Sequence, residues 1–126
     1  MGALSNAAAH ATIAVSDLAR AKSFYSDTLG LKLTEEDLAG SRFETGATFL
    51  GVYPSQFAGT AKNTVVEFDV QDLDAAMGEL RGRGVKFEEY DFPGLKTTNG
   101  VAQLGESHGA WFKDPDGNIL ALVQRG

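Results

Sequence analysis

The sequence contains no cysteine, only 3 prolines and no long apolar run. Without cysteine the chain forms no disulfide, no zinc–thiolate centre and no iron–sulfur cluster, and it has no thiol nucleophile. A membrane-spanning helix needs about 18 or more consecutive apolar residues, and no such stretch is present. The class that remains is an ordinary globular domain, for which 126 residues are enough to build one core.

Basic residues are also scarce. Lys and Arg together number 11 against 17 Asp and Glu, which gives a net charge of −6. Nucleic-acid binding needs a basic surface, so we expect no nucleic-acid partner and no membrane partner. The start of the chain lacks the basic segment of a secretory signal peptide. These features predict a cytoplasmic protein.

What is present is an internal repeat, in which the segment from His10 is similar to the segment from Val65. The shared residues, each recurring 55 positions later, are Val15, Asp17, Leu18 and Ala21, matched by Val70, Asp72, Leu73 and Ala76. The alternative is chance convergence of two strand–helix units. We favour a duplication, which predicts a single domain 1–126 with one module at about 9–53, a linker at 54–63 and a second module at about 64–125.

Each half is predicted to fold as β-α-β-β-β. Strands are expected at 10–15 and 65–70, and Asp17 and Asp72 then stand where helix N-caps belong. Gly30 and Gly84 are placed as helix stops.

Further strands are expected at 31–35 and 85–90. They are followed by one hairpin across Thr45-Gly46 and another across the Asp114-Pro-Asp-Gly turn. The stretch 91–108 is predicted to be a long loop of the kind that covers binding sites.

With this element order, the chain resembles the vicinal oxygen chelate superfamily, which includes glyoxalase I, bleomycin-resistance proteins and extradiol dioxygenases. The residues that carry the resemblance are 15–31 (VSDLARAKSFYSDTLGL), 70–76 (VQDLDAA), 81–85 (RGRGV) and 112–120 (FKDPDGNIL). The resemblance implies an α+β fold of two βαβββ modules, with curled mixed sheets forming a cleft and the helices outside. It also implies a homodimer. Because side chains alternate along a strand, Ile13 and Phe68 should face the helices, and His10 and Glu67 the cleft.

Members of this superfamily usually hold one divalent cation with four side chains, two from each module. His10 matches the first of these positions, but Val65 and Ala121 occupy two others, and Leu50 or Gly51 occupies the fourth. One histidine does not make a metal site, so we expect no cofactor. The alternative is a rebuilt divalent metal site with His10 and Glu67 as ligands, joined by His108.

The predicted pocket combines a few polar groups with apolar walls. Its expected ligand-binding residues are His10, Thr12, Tyr53, Val65, Glu67, Lys96, Trp111 and Ala121. Trp111 is expected to face the cleft in preference to Phe112, while Phe49 is expected in the core. Lys96 either meets an anionic group of the ligand or is solvated.

Glu67 is the candidate catalytic residue. In an apolar cavity it would act as an acid or base, and the alternative is that it pairs with a basic residue or faces water. Two functions therefore remain open. One is a small-molecule-binding protein without the metal, and the other is a lyase, isomerase or dioxygenase-like enzyme that uses Glu67 or a metal at His10.

Overall fold

The computed structural model describes residues 2–126, which form two modules with similar element order. The first module consists of strand β1 (Ala11–Val15), helix α1 (Leu18–Lys22) continued by a π-helical segment (Ser23–Thr28), and strands β2 (Lys32–Asp37), β3 (Gly40–Thr45) and β4 (Thr48–Pro54). The second consists of β5 (Thr64–Asp69), α2 (Leu73–Gly82), β6 (Asp91–Phe92), β7 (Leu95–Lys96), β8 (Ala102–Leu104), β9 (Ser107–Lys113) and β10 (Ile119–Gln124). No helix among these residues is long and apolar enough to span a membrane.

Each module contains a mixed sheet of four strands. The strand orders are β1-β4-β3-β2 and β5-β10-β9-β8, with β6 and β7 forming a separate small hairpin. β1 runs parallel to β4 and β5 runs parallel to β10, while the remaining pairs in both sheets are antiparallel. The predicted α+β class with two βαβββ-like modules is confirmed.

Both helices begin at the predicted aspartates. The Asp17 carboxylate accepts a hydrogen bond from the backbone N–H of Arg20, and Asp72 accepts one from Ala75. These bonds satisfy donors that have no partner inside the helix, and the negative charge faces the positive end of the helix dipole. The V-x-D-L pattern shared by the two halves therefore encodes the same strand-to-helix turn twice.

The strand predicted at 85–90 is wrong. Only Phe87 forms a bridge to the sheet, opposite Phe112, and the edge position is taken by β8. The chain turns away because Tyr90 pairs with Thr97: the backbone N–H of Tyr90 donates to the Thr97 hydroxyl (2.8 Å), and the Thr97 N–H donates to the Tyr90 carbonyl (2.9 Å). This pairing closes the β6–β7 hairpin within the stretch that was predicted to be a loop.

The core lies between the sheets and the helices. Its largest fully buried side chains include Tyr25, Phe43 and Phe112. On β5, Phe68 packs against this core from the helix side, whereas Glu67 is exposed on the opposite face. The predicted strand phase is therefore the one observed.

Candidate functional site

The turn between β9 and β10 fastens the second module to the first. The buried Asp114 carboxylate accepts hydrogen bonds from the Tyr25 hydroxyl (2.7 Å) and from the Asn118 side-chain amide (2.8 Å). It also accepts from the backbone N–H groups of Asp116 (3.0 Å) and Asn118 (2.8 Å). The Asn118 amide donates in addition to the Ala14 carbonyl on β1 (2.8 Å). We call this side of the module junction the closed corner.

Asp116 adds a second set of contacts at the closed corner. Its carboxylate accepts hydrogen bonds from the Ser16 backbone N–H (3.1 Å), from the Ser16 hydroxyl and from the Arg20 guanidinium (2.9 Å). The D-P-D-G-N motif that contributed to the family resemblance therefore serves here to join the two modules. Sequence reasoning had recognised the motif only as a turn.

The corresponding corner on the other side of the junction is open. The β3–β4 turn there consists of residues 45–48 (TGAT), which carry no carboxylate. At the 55-residue offset, Ser16, Arg20 and Tyr25 correspond to Gln71, Ala75 and Leu80, so their polar contacts are not repeated. A cavity of about 540 Å³ lies here, lined by residues 9–11, 45–50 and 66–69. We call it the junction cavity.

His10 and Glu67 both line the junction cavity. His10 is exposed immediately before β1, and its ring stacks on Phe49 with the ring centroids 4.0 Å apart and the planes inclined by 31°. Glu67 is exposed on β5 beside Ala121 of β10. Glu67 was expected either to sit in an apolar cavity or to pair with a basic residue or face water. In the structure its side chain is exposed to water.

A second, smaller hollow lies on the face of the first sheet that points away from the helices. It measures about 260 Å³ and includes His10, Thr12, Arg42 and Tyr53 in its lining. Gly51 forms part of its floor, because it pairs with Thr12 on one side and with Arg42 on the other. We call this hollow the sheet pocket. Since His10 borders both hollows, the two are neighbours.

The remaining predicted ligand-binding residues lie outside the linings of these two hollows. Val65 is half-buried on β5, and Ala121 is fully buried on β10. Trp111 lies on the β9 face opposite Phe112, where its ring and that of Tyr90 form a T-shaped pair with the centroids 5.7 Å apart. Lys96 is exposed on β7, opposite Asp91.

Trp111 and Tyr90 form a separate aromatic group with Phe92. Burial, followed by the nearby Glu88 carboxylate, raises the pKa of the Tyr90 hydroxyl. Both effects disfavour the charged phenolate, so Tyr90 is neutral at ordinary pH.

Two residues at the site were missed from the sequence. The expectation that Phe49 belongs to the core is wrong: Leu50 and Val52 of the same strand pack toward the helices, so alternation turns Phe49 to the other face. Arg42 is the cation at the site, and its guanidinium carbon lies 4.6 Å from the centre of the Phe49 ring. The alternation of buried and exposed residues along β3 and β4 was the signal that could have identified both.

The donor groups do not fit the four-ligand metal centre that the family resemblance implies. Among residues 2–126, no three His, Asp or Glu side chains come together in a way that could hold a metal ion. His10 and Glu67 line one cavity. His108 lies elsewhere, on the face of β9 that also carries Ala110 and Phe112 and points toward the helices. The junction cavity therefore offers one imidazole, from His10, and the carboxylates of Glu67 and Asp69, which do not converge as a metal centre.

The fold and these motifs define the family. The model of the Glyoxalase/Bleomycin resistance protein/Dioxygenase superfamily matches residues 7–122, and the chain belongs to this superfamily. The sequence is 25% identical over 125 residues to the uncharacterized protein YraH of Bacillus subtilis, covering 87% of this chain and 91% of YraH.

Solved structures share the fold at lower identity. A protein assigned to the glyoxalase family from Bacillus anthracis superposes with a TM-score of 0.77 at 19% identity, covering all of both chains. TnmS3, an antibiotic binding protein from Streptomyces sp. CB03234, superposes with a TM-score of 0.64 at 22% identity, covering 93% of each chain.

Proposed function

We propose that this protein binds a small organic molecule in the junction cavity and does so without the metal ion usual in the superfamily. The observation that carries the proposal is the open corner itself. One side of the module junction is fastened by Asp114 and Asp116, while the other leaves a cavity of about 540 Å³ between residues of both modules.

The lining of the cavity suits an organic ligand. Small-molecule sites typically measure about 300–1,000 Å³ and combine apolar walls with a few polar groups. Here Val66 and Phe68 supply apolar surface, and Phe49 and His10 present stacked rings. Glu67 supplies one acceptor that can orient a donor group of the ligand.

The proposal includes no metal ion because too few side chains at the site could coordinate one. Divalent cations in proteins need several oxygen or imidazole donors that converge at about 2.0–2.6 Å. The described residues bring together no such group of three. TnmS3, which is described as an antibiotic binding protein, shares this fold, so a binding role is one that the fold serves.

A cavity-filling variant tests the proposal. Ala47 lines the junction cavity in the β3–β4 turn, so Ala47→Trp should occupy the space that the ligand needs. Ala75→Trp, at an exposed position on α2, is the matched control. Binding to the folded state raises the melting temperature, so a thermal-shift screen of metabolites and aromatic antibiotics provides the readout.

We expect compounds that stabilise the wild type and Ala75→Trp but not Ala47→Trp. Compounds that stabilise Ala47→Trp as much as the wild type would place binding elsewhere. A screen without any stabilising compound would count against a binding function.

A further inference from the structure

The Arg42 guanidinium lies beside the two aromatic rings of the site. Its guanidinium carbon lies 4.6 Å from the centre of the Phe49 ring, and the same ring stacks on His10 at 4.0 Å. A guanidinium over an aromatic face is favoured by the ring quadrupole, which fixes its position without using its hydrogen-bond donors. The stack lies where the junction cavity and the sheet pocket meet, because Phe49 lines the first and Arg42 the second.

Most donors of this guanidinium have no partner. Its one ion pair among the described residues is with the Glu35 carboxylate, whose oxygen lies 3.5 Å from Nε of Arg42. Among residues 2–126 no hydrogen bond involves the two terminal nitrogens of Arg42, and none involves the hydroxyls of Thr12 and Tyr53 in the same pocket. These groups together form an unused set of donors on one pocket wall.

Two carboxylates border the same pocket, and neither occupies those donors. The Asp37 carboxylate accepts hydrogen bonds from the backbone N–H groups of Ala39 (2.8 Å) and Gly40 (3.1 Å), so it is committed to its own turn. Glu35 contacts Arg42 only from the side, and its side chain is 66% exposed. An exposed ion pair of this kind contributes little free energy, so an incoming anion can replace or join Glu35 at small cost.

We infer that the ligand class of this site is an aromatic carboxylate, with its ring against His10 and the edge of Phe49 and its carboxylate on the terminal nitrogens of Arg42. Arginine binds carboxylates through two parallel charge-assisted hydrogen bonds, and Thr12 and Tyr53 can add hydroxyl donors. The inference rests on the proposed function, because it names the ligand of the same site. It also replaces Lys96, the cation expected from the sequence, with Arg42.

Three probes separate the contributions of charge and ring. They are 2-naphthoate, its neutral analogue 2-naphthylmethanol, and cyclohexanecarboxylate, which carries the charge without an aromatic ring. Titration calorimetry on the wild type should rank 2-naphthoate first. Arg42→Gln should weaken 2-naphthoate about tenfold or more, since a charge-assisted pair is worth at least about that factor in affinity. It should leave 2-naphthylmethanol unchanged.

Lys96→Gln is the matched control, because it removes the same charge from an exposed strand outside both hollows. It should leave the affinity for 2-naphthoate unchanged. Glu35→Gln removes the competing carboxylate and should strengthen 2-naphthoate binding.

If Arg42→Gln and Lys96→Gln lose the same affinity for 2-naphthoate, the inference is overturned, because the effect would then come from the net charge of the protein alone. So would an Arg42→Gln variant that binds 2-naphthoate as well as the wild type. If in that case Ala47→Trp still abolishes binding of 2-naphthylmethanol, the proposed function stands and only the ligand class fails. If both naphthyl probes bind Ala47→Trp like the wild type, both proposals fail. If neither binds the wild type, the ligand class fails, and the thermal-shift screen decides the proposed function.

Discussion

The hydroxyl of Tyr25 donates a 2.7 Å hydrogen bond to the carboxylate of Asp114, a residue 89 positions further along the chain. Tyr25 follows helix α1 of the first module, and Asp114 begins the β9–β10 turn of the second. Tyr25 is fully buried and Asp114 is 5% exposed, so water cannot replace either partner. This bond therefore makes the packing of the two modules depend on one buried polar pair.

Tyr25→Phe should destabilise the protein by about 1–3 kcal/mol, because it removes the hydroxyl donor and leaves a buried carboxylate with one partner fewer. Urea unfolding at neutral pH measures the change. Tyr53→Phe, which removes an exposed hydroxyl with no hydrogen-bond partner among residues 2–126, should change the free energy of unfolding by less than about 0.5 kcal/mol. Equal effects of the two substitutions would contradict the role given to Tyr25.

The same pair should make the protein sensitive to alkali. Burial, followed by the charge of Asp114, raises the pKa of the Tyr25 hydroxyl far above its ordinary range. The unfolded chain releases this proton near pH 10, while the folded chain keeps it. Stability from this group is therefore complete below about pH 10 and falls by about 1.4 kcal/mol per pH unit above it.

Urea unfolding of the wild type and Tyr25→Phe at about pH 9 and about pH 11 isolates this contribution, because all other titrating groups are common to both proteins. We expect the difference in stability between the two proteins to shrink at the higher pH. A difference that stays constant would exclude the linkage.

Substituting two glycines by alanine separates the energetic cost of a steric clash from that of backbone strain. A Cβ added at Gly59 would clash with the backbone oxygen of Asp116, and the residue has a φ of +71°. Gly46 has a φ of +55° but nothing within 4 Å of its added Cβ. Gly46→Ala should therefore cost about 1 kcal/mol from strain alone, and Gly59→Ala clearly more.

Chemical unfolding of both alanine variants provides the comparison. Because Gly59 also donates from its N–H to the Asn118 side chain (3.2 Å), its substitution should disturb the closed corner. If the Gly59→Ala protein is as stable as the Gly46→Ala protein, Gly59 in the linker is not in close contact with the β9–β10 turn.

The ligand set also predicts a low metal content. Protein purified without chelators should carry less than about 0.2 divalent ion per chain by elemental analysis, because His10 and Glu67 alone cannot compete for a borderline metal. His10→Ala should leave this value unchanged. One ion per chain in the wild type, lost in His10→Ala, would establish a metal centre and reverse the proposal.

Much of the fold could be predicted because the signals were local. Asp17 and Asp72 cap their helices through residues three positions away, and the turn at Asp114 is encoded by its own Pro and Gly. The prediction of a strand at 85–90 failed because Tyr90 pairs with Thr97 instead of with the sheet, and that pairing is not visible in residues 85–90 alone. Local β propensity carries no information about such a competitor.

The site was harder to predict for the same reason. His10 and Glu67 could be named because they match family positions or stand out on an apolar strand. Phe49 and Arg42 became site residues only through the pairing of β3 with β4, which sets which face each side chain occupies. The closed corner could not be foreseen, since Tyr25 and Asp114 are far apart in the sequence and no local signal pairs them.

The unequal corners predict the stoichiometry of the proposed binding. Two similar halves would suggest two equivalent sites in each chain, one at either end of the module junction. The contacts of Asp114, Asp116 and Asn118 fill one end, so saturation should be reached at a single equivalent of ligand per polypeptide.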